Sequence, residues 1–353
     1  MPVGYRANLP LRPRFAAAAL LACAALAVAA CSTSGSSGAG GSASSPAPAP
    51  SGAAQASGTA NVAYAGSLAS LNEKVVGPAF TKATGDGYQG RGAGSTALSQ
   101  EIKGGVLTPN VFESIGGKPI EALEPKFTSW YVQFASSPIV VAYSPASKYA
   151  SQLAAIASGS RPISDLFTLM ATPGFKLGRT DPNLDPQGVA FIQMLMLAQK
   201  QYHLPSGIVT AIIQGQPSSA NSPEIFDETA LEARLQAGQL DASSAYLSQA
   251  IQLHLHYIAL PPSINLGDPA QAATYKTVSL KLASGQLQTG KPLSVCITTI
   301  GRADQAAADA FVAYVLSRPG LALHKQGGYT LLTPKAFGNT SAIPASIKHE
   351  LGS

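Results

Sequence analysis

Short runs of β-branched and aromatic residues alternate with helix-period apolar positions from Thr59 onwards. The run 61–65 predicts a strand, and the apolar positions spaced between Leu68 and Phe80 predict a helix after it. A weaker strand, 87–91, precedes a second helix that contains Leu98. This alternation is typical of α/β proteins, in which ligands bind beyond the C-terminal ends of the strands.

The same order recurs further along the chain. A predicted strand at 176–179 is followed by the segment 181–188 and by a helix that carries Ile192. Two extended apolar stretches, 130–143 and 257–260, are placed to carry the chain into a second lobe and back. The pattern predicts an α/β protein of two lobes, with mixed, mostly parallel sheets flanked by helices and two crossing strands as a hinge. The predicted domains are lobe 1 at 59–138 and 258–340, lobe 2 at 139–257, and a C-terminal tail at 341–353.

The N-terminal region predicts export. Residues 1–30 carry a basic start and an apolar run too short to span a membrane, which is typical of a signal peptide. The sequence Val28-Ala29-Ala30-Cys31 resembles the bacterial lipobox, in which the cysteine is lipidated, so Cys31 is the predicted anchor. The alternative is an ordinary signal peptide with an incidental cysteine. Residues 31–58 are then predicted to form a lipidated cysteine followed by a disordered tether.

Composition narrows the classes of function. Hydrophobic residues make up 46% and charged residues 12% of the chain, which excludes wholesale disorder. Without Arg6, Arg12 and Arg14 of the signal peptide, the formal net charge falls from +5 to +2, so a basic nucleic-acid-binding surface is not predicted. Outside the export region the cysteine is Cys296, predicted to be a buried, inert thiol. A disulfide framework or a cysteine metal cluster is therefore excluded.

Glycine and serine meet at two predicted strand-to-helix junctions. Ser67 follows Gly66, and Ser95 follows Gly94. The N-terminus of a helix offers unpaired N–H groups and attracts anions, a serine adds a hydroxyl donor, and a glycine allows close approach. The alternative is that each serine only caps its helix. Together with the junction at 181–188, they predict a small anion held by neutral donors.

Seven segments resemble, in their order along the chain, the molybdate/tungstate-binding proteins of ABC importers, which are type II periplasmic binding proteins. They are Ala65-Gly66-Ser67-Leu68, Gly92-Ala93-Gly94-Ser95, Trp130-Tyr131-Val132, Val140 to Ser144, Asp181 to Pro186, Tyr257 to Leu266 and Gly328 to Leu332. The resemblance covers nearly all of 59–334. It implies two α/β lobes that close on the oxyanion.

The resemblance also implies site residues and partners. The residues expected to bind the ligand are Ser67, Ser95, Asp185 and Tyr246, with Gly66, Gly94, Pro186 and Gln187 as neighbours that could also touch it. It further implies a monomer, located in the cell envelope on the outer face of the cytoplasmic membrane or in the periplasm. This monomer delivers its oxyanion to a membrane ABC permease. No catalysis, no cofactor, no free metal cation and no nucleic acid are expected.

One position departs from the family pattern. The subgroup that adds two carboxylates to the metal of the oxyanion is expected to have Glu immediately before the tyrosine, where this chain has Ala245. We therefore favour tetrahedral binding by neutral donors, with Asp185 as a helix cap or orienting residue. Octahedral coordination that includes Asp185 stays open, as does a purely structural role for Tyr246.

The sequence leaves other ligands and a catalytic role as alternatives. Sulfate, thiosulfate or phosphate could replace molybdate or tungstate as the ligand, and a surface serine hydrolase would use Ser67 or Ser95 but lacks an evident basic partner. Arg91 and Arg179 lie near two of the junctions, and surface solvation is favoured over contact with the ligand. The two imidazoles of His254-Leu255-His256 lack a third metal ligand nearby.

Overall fold

A computed structural model describes residues 58–219, 222–301 and 303–352. The predicted signal peptide, Cys31 and nearly all of the predicted tether lie outside the described residues. The strands are β1 (Thr59–Ala65), β2 (Gly87–Ala93), β3 (Val111–Ile115), β4 (Trp130–Ser136), β5 (Ile139–Tyr143), β6 (Leu177–Gly178), β7 (Ala242–Tyr246), β8 (His256–Ile258), β9 (Ser279–Lys281), β10 (Leu287–Thr289), β11 (Val295–Thr299) and β12 (Thr330–Gly338).

The helices alternate with these strands. Between β1 and β2 the chain forms a 3-10 turn (Gly66–Leu68), α1 (Ala69–Leu71), a π-helical turn (Asn72–Val76) and α2 (Gly77–Thr84). The remaining α-helices are α3 (Ser95–Lys103), α4 (Lys118–Glu121), α5 (Ala150–Ala157), α6 (Ser164–Met170), α7 (Pro186–Gln201), α8 (Ile208–Ile212), α9 (Glu228–Gln236), α10 (Leu247–Gln252), α11 (Ala272–Tyr275), α12 (Gln305–Leu316), α13 (Arg318–Gln326) and α14 (Ala345–Leu351). Two further 3-10 turns span Pro269–Gln271 and Thr340–Ala342.

Two mixed sheets organise the described chain, which confirms the predicted α/β class. The six-stranded sheet of lobe 1 has the order β12-β4-β11-β3-β1-β2, and the four-stranded sheet of lobe 2 has the order β6-β7-β5-β8. β9 and β10 form a separate antiparallel hairpin. Helices flank both sheets.

The prediction of mostly parallel sheets is wrong. The parallel pairs are β1 with β2, β1 with β3, and β6 with β7, whereas the other described pairs are antiparallel. The cause lies in the path of the chain. β11 and β12 follow the return from lobe 2 and start at the hinge edge of the sheet, where β4 ends, so they run against it.

The hinge is built from two neighbouring crossings. β4 ends at Ser136 in the first sheet, and β5 begins at Ile139 in the second. The returning segment after β8 is tied to this crossing, because Ile139 N donates to Asn265 O at 2.9 Å. Trp130 lies at the opposite end of β4, where its carbonyl accepts from Thr298 Oγ1 at 2.6 Å.

The C-terminal segment is part of the folded body. β12 runs to Gly338, and α14 follows it. Ile343 and Ile347 are buried, at 3% and 0% exposed. Burying such side chains contributes about 1.5–3 kcal/mol each, which explains why this segment is attached.

The core of lobe 2 fixes α7, the helix that follows the segment 181–185. α7 is buried along most of its length, including Ala190, Phe191, Met194 and Leu195. Because the helix is held on several sides, its first residues have a fixed position relative to the sheet. The 181–185 segment that precedes it is fixed by the same packing.

Candidate functional site

Two serines lie side by side at one edge of the six-stranded sheet. The register of the parallel strands β1 and β2 pairs Ala65 with Ala93, so both strands end together. Gly66-Ser67 then opens the 3-10 turn, and Gly94-Ser95 leads into α3. Both serines are buried. The structure thus brings together two helix N-termini, whose positive ends favour an anion.

Each serine is oriented by a backbone contact. Ser95 Oγ accepts a hydrogen bond from Ile115 N at 3.1 Å, so its own hydrogen is left to donate to another group. On the other junction, Tyr329 Oη donates to the carbonyl oxygen of Ser67 at 3.2 Å and fixes that peptide group.

Asp185 approaches the serines from lobe 2. It caps α7, because its Oδ1 accepts from Gln187 N at 2.8 Å with Pro186 at the first helical position. The predicted capping role is therefore confirmed. Leu184 O accepts from Ala97 N in α3 at 3.0 Å, so the loop before Asp185 is bonded directly to lobe 1.

A second carboxylate, that of Glu228, lies close to Asp185. The sequence does not predict Glu228 as a site residue. It is the first residue of α9, and its Oε1 accepts from Gln187 Nε2 at 3.0 Å and from Gln249 Nε2 at 3.2 Å. Burial raises the pKa of Glu228, and the carboxylates of Asp185 and Glu232 raise it further, while the N–H and hydroxyl of Ser67 oppose the rise. An acidic residue at the start of a helix is common, so no local pattern singles out Glu228.

Gln187 is a predicted neighbour of the ligand, but its side-chain amide is hydrogen-bonded to other residues of the protein. Its Nε2 also donates to Gln249 Oε1 at 3.0 Å, and its Oε1 accepts from Ser244 Oγ at 2.7 Å. Gln249 Nε2 donates in addition to Glu232 Oε1. The two amide side chains therefore hold the acidic groups of lobe 2 in position.

Tyr246 ends β7 beside these carboxylates. It is 1% exposed, and burial together with Asp185 and Glu228 raises the pKa of its hydroxyl. Ala245 points to the other face of the strand and packs in an apolar cluster with Val140. A second carboxylate beside Asp185 therefore comes from Glu228 and not from position 245, and tetrahedral binding by neutral donors stays a prediction.

Three of the residues predicted to bind the ligand carry a buried polar atom that makes no hydrogen bond of normal geometry within the described chain, although the Ser67 hydroxyl lies close enough to Glu228, and the Thr180 hydroxyl close enough to Asp185, to lower the pKa of each carboxyl. These atoms are Ser67 Oγ, Asp185 Oδ2 and Tyr246 Oη. Buried polar atoms are rarely left in this state, since each costs about 1–3 kcal/mol. Burial also raises the pKa of Asp185. The site combines uncharged donors with two carboxylates that resist ionisation.

The cleft opens to one side of these residues. A cavity of ≈ 590 Å³ is lined by both lobes, and its lining includes Gly94, Asp185, Glu228 and Arg91. Ser67, Ser95 and Tyr246 do not line it; they are buried behind its wall. Arg91 is ion-paired with Glu101 at 2.7 Å and has a side chain that is 53% exposed, as surface solvation requires.

For Arg179 the expectation of surface solvation is wrong. Its side chain is 0% exposed and lies 3.4 Å from Glu224 Oε1, and its backbone N and O bond to Glu224 O and Phe226 N. Charge pairing over 45 residues of sequence explains why this burial could not be read from the local pattern. The contact ties the segment before Asp185 to the segment before Glu228.

Comparison with known proteins agrees with this architecture. Residues 60–330 match the family described as bacterial extracellular solute-binding protein. The molybdate/tungstate-binding protein WtpA of Pyrococcus abyssi is 31% identical over 247 residues, covering 65% of this chain and 69% of WtpA. The protein of the same name from Thermococcus kodakarensis is 30% identical over 247 residues, covering 65% of this chain and 67% of its own length.

A solved structure has the same fold. The periplasmic molybdate-binding protein of Azotobacter vinelandii superposes with a TM-score of 0.51 at 17% identity, covering 77% of this chain and 99% of its own. Among the described residues, no helix is both long and apolar enough to cross a bilayer. The extent of the family match, over two lobes that meet at a buried polar site, shows that this chain belongs to the bacterial extracellular solute-binding protein family.

Proposed function

We propose that this chain is an extracytoplasmic, lipid-anchored binding protein that captures molybdate or tungstate by closure of its lobes and delivers it to an ABC permease. The observation that carries the proposal is the group of buried polar atoms without normal partners, Ser67 Oγ, Asp185 Oδ2 and Tyr246 Oη, contributed by both lobes. The names of the Pyrococcus and Thermococcus relatives support the choice of ligand.

The hydroxyl groups replace the water shell of the oxyanion. Ser67, Ser95 and Tyr246 donate to its oxygens, and the N-termini of the two helical segments in lobe 1 add backbone N–H groups. Ser95 Oγ already accepts from a backbone N–H, an arrangement suited to donating to an anion. The role is therefore binding, without chemistry on the ligand.

The two carboxylates favour a metal oxyanion over sulfate. A carboxylate beside a dianion is repelled strongly in a buried site unless it is protonated or binds the central atom. Hexavalent molybdenum and tungsten accept oxygen ligands beyond those of the oxyanion, whereas the sulfur of sulfate does not. Coordination by Asp185 and Glu228 therefore replaces the tetrahedral, neutral-donor site expected from the sequence.

Phosphate is the alternative ligand, because a buried acceptor in the site could bind its proton. Hydrogen phosphate carries a proton, and Asp185 Oδ2 is a buried acceptor without a normal partner. Sulfate and thiosulfate bring no proton at neutral pH and have no such advantage.

Titration calorimetry with molybdate, tungstate, sulfate and phosphate separates these ligands. We expect tight binding of molybdate and tungstate, and no measurable binding of sulfate or phosphate. Tight binding of phosphate without a response to molybdate would reject the proposed ligand and leave the binding site intact.

The proposal that the protein is anchored in a membrane, near the permease, rests on the sequence of the export region. Cys31 is the residue that would carry the lipid, and it precedes a tether long enough to hold the folded lobes near a membrane. Labelling with a radioactive fatty acid in a bacterial host tests this. We expect label on the wild-type chain and none on Cys31→Ala.

A further inference from the structure

A second cavity lies on the other side of α3 from the cleft. The positions of α3 that line it are Thr96, Ser99, Gln100 and Lys103, whereas Ala97 and Glu101 line the cleft. Residues three, four and seven apart share one face of a helix, so α3 forms a wall between the two cavities. Leu184 lines both cavities.

The walls of this second cavity are mainly apolar. Its volume is ≈ 500 Å³, within the range of small-molecule sites. It is enclosed by α3 and α4 of lobe 1, the start of α7 in lobe 2 and the β9–β10 hairpin. The apolar side chains that line it include Ile115, Pro119, Val189, Leu282 and Leu293.

The charges around the cavity have one sign. Among the described residues that line it, Lys103, Lys118 and Lys291 are charged and no carboxylate is present. Lys118 Nζ donates to Gln288 Oε1 at 2.8 Å. Lys118 and Lys291 both line this cavity. Burial lowers the pKa of Lys118 and the ammonium of Lys291 lowers it further, while Glu121, which does not line the cavity, opposes the shift.

We propose that this cavity is a second binding site, for a small organic anion in which an aromatic or aliphatic body carries one carboxylate or sulfonate. Lys118 and Lys291 line the cavity with no carboxylate among the other described lining residues, and a monoanion beside them supplies the opposite charge. The apolar body occupies the space between Val189 and Leu293. A bare inorganic oxyanion does not suit the site, because the apolar walls would not replace its hydration.

This site is independent of the proposed oxyanion site. It uses the opposite face of α3, and Ser67, Ser95, Asp185, Glu228 and Tyr246 do not line it, although Pro186 does. Its walls come from both lobes, so an anion bound there favours the closed arrangement. The test is therefore run both without and with saturating molybdate.

Titration calorimetry with 2-naphthoate and with the uncharged 2-naphthamide tests the proposal. We expect saturable binding of 2-naphthoate in at least one of the two conditions. The amide should bind at least about tenfold more weakly than 2-naphthoate, because it loses the charge-assisted hydrogen bonds. Equal affinity for the two compounds, or no saturable binding of 2-naphthoate in either condition, overturns the proposal.

Variants locate the bound anion. The double variant Lys118→Met/Lys291→Met should weaken 2-naphthoate binding about tenfold or more, and Val189→Trp should block it by filling the cavity. Lys74→Met/Lys82→Met, which changes the net charge equally at two exposed positions outside the cavity, is the matched control and should bind as the wild type does. Unchanged affinity in the Lys118/Lys291 variant would show that the anion binds elsewhere.

Discussion

Gly94 of lobe 1 lies directly against Asp185 of lobe 2. A Cβ atom on Gly94 would stand 3.0 Å from Asp185 Cβ and 2.6 Å from the carbonyl oxygen of Leu184. Gly66 has the same relationship to the second carboxylate, since a Cβ there would stand 2.5 Å from Glu228 Oε2. Each glycine thus allows one carboxylate of lobe 2 to reach a helix N-terminus of lobe 1.

Gly94→Ala should impair closure without disturbing either lobe. The backbone of Gly94 has φ −56° and ψ 131°, which alanine adopts without strain, so the clash arises only when the lobes meet. Overpacking costs about 1–3 kcal/mol, so molybdate affinity should fall about 5- to 150-fold in calorimetry. The melting temperature without ligand should stay close to that of the wild type.

Gly104→Ala is the matched control for that substitution. Gly104 follows the same helix at φ −77°, and its Cβ would meet Gln100 O at 3.3 Å within lobe 1. We expect it to bind molybdate normally. Wild-type affinity in Gly94→Ala would mean that the contact with Asp185 is not part of the bound state.

Ser67→Ala and Ser95→Ala should each remove one donor to the oxyanion. Hydrogen bonds to charged groups contribute about 1.5–3 kcal/mol, so each variant should lose about ten- to a hundredfold in molybdate affinity. Ser99→Ala is the control, because Ser99 is buried one turn further along α3 and donates to Pro119 O instead. Loss of affinity in Ser99→Ala equal to that in Ser95→Ala would point to a general effect on α3.

Glu228→Gln should separate binding from stability. The amide oxygen can still accept from Gln187 and Gln249, but the charged oxygen offered to molybdenum is lost, so affinity should fall about tenfold or more. Without ligand the variant should be at least as stable as the wild type at pH 8, because a buried carboxylate is costly to ionise.

A buried carboxyl of lobe 1 provides the comparison. Glu113 is 0% exposed and accepts from Asn72 Nδ2 at 2.5 Å. Glu113→Gln should leave molybdate affinity unchanged. If Glu228→Gln also bound molybdate as the wild type does, coordination by Glu228 would be refuted.

The stability of the ligand-free protein should fall as the pH rises from 5 to 8. Burial raises the pKa of Glu232 from 4.5 to about 8, so the folded state holds a proton that the unfolded state has released across this interval. Stability is therefore greatest below pH 4.5 for this group and is lost towards pH 8, by up to about 1.4 kcal/mol per pH unit. Urea unfolding at several pH values should show a shallower decline in Glu232→Gln, and an identical decline would contradict the assignment.

Much of lobe 1 could be predicted because its signals are local. β1, α3 and β11 follow runs of β-branched or helix-period residues, and Gly-Ser at two parallel strand ends predicts the convergence of Ser67 and Ser95. The capping of α7 by Asp185 follows from its place before Pro186. Their role as ligand-binding residues stays a prediction that the variants above test.

The features that sequence reasoning missed depend on distant partners. Glu228 is a common type of residue at the start of a helix, and only the fold places it against Gly66. Arg179 is buried because Glu224 reaches it from a separate segment. Ala245 lies on the face of β7 opposite Tyr246, so its identity carries no information about Glu228, which belongs to α9.

The central claim is that both lobes hold one metal oxyanion between Ser67, Ser95, Tyr246 and the two carboxylates. Anomalous X-ray diffraction at the tungsten absorption edge, from crystals grown with tungstate, tests it most directly. We predict one strong anomalous peak per chain among these residues, with Asp185 and Glu228 oxygens bonded to the tungsten. A peak elsewhere on the chain, or none in crystals of the closed protein, would contradict the account.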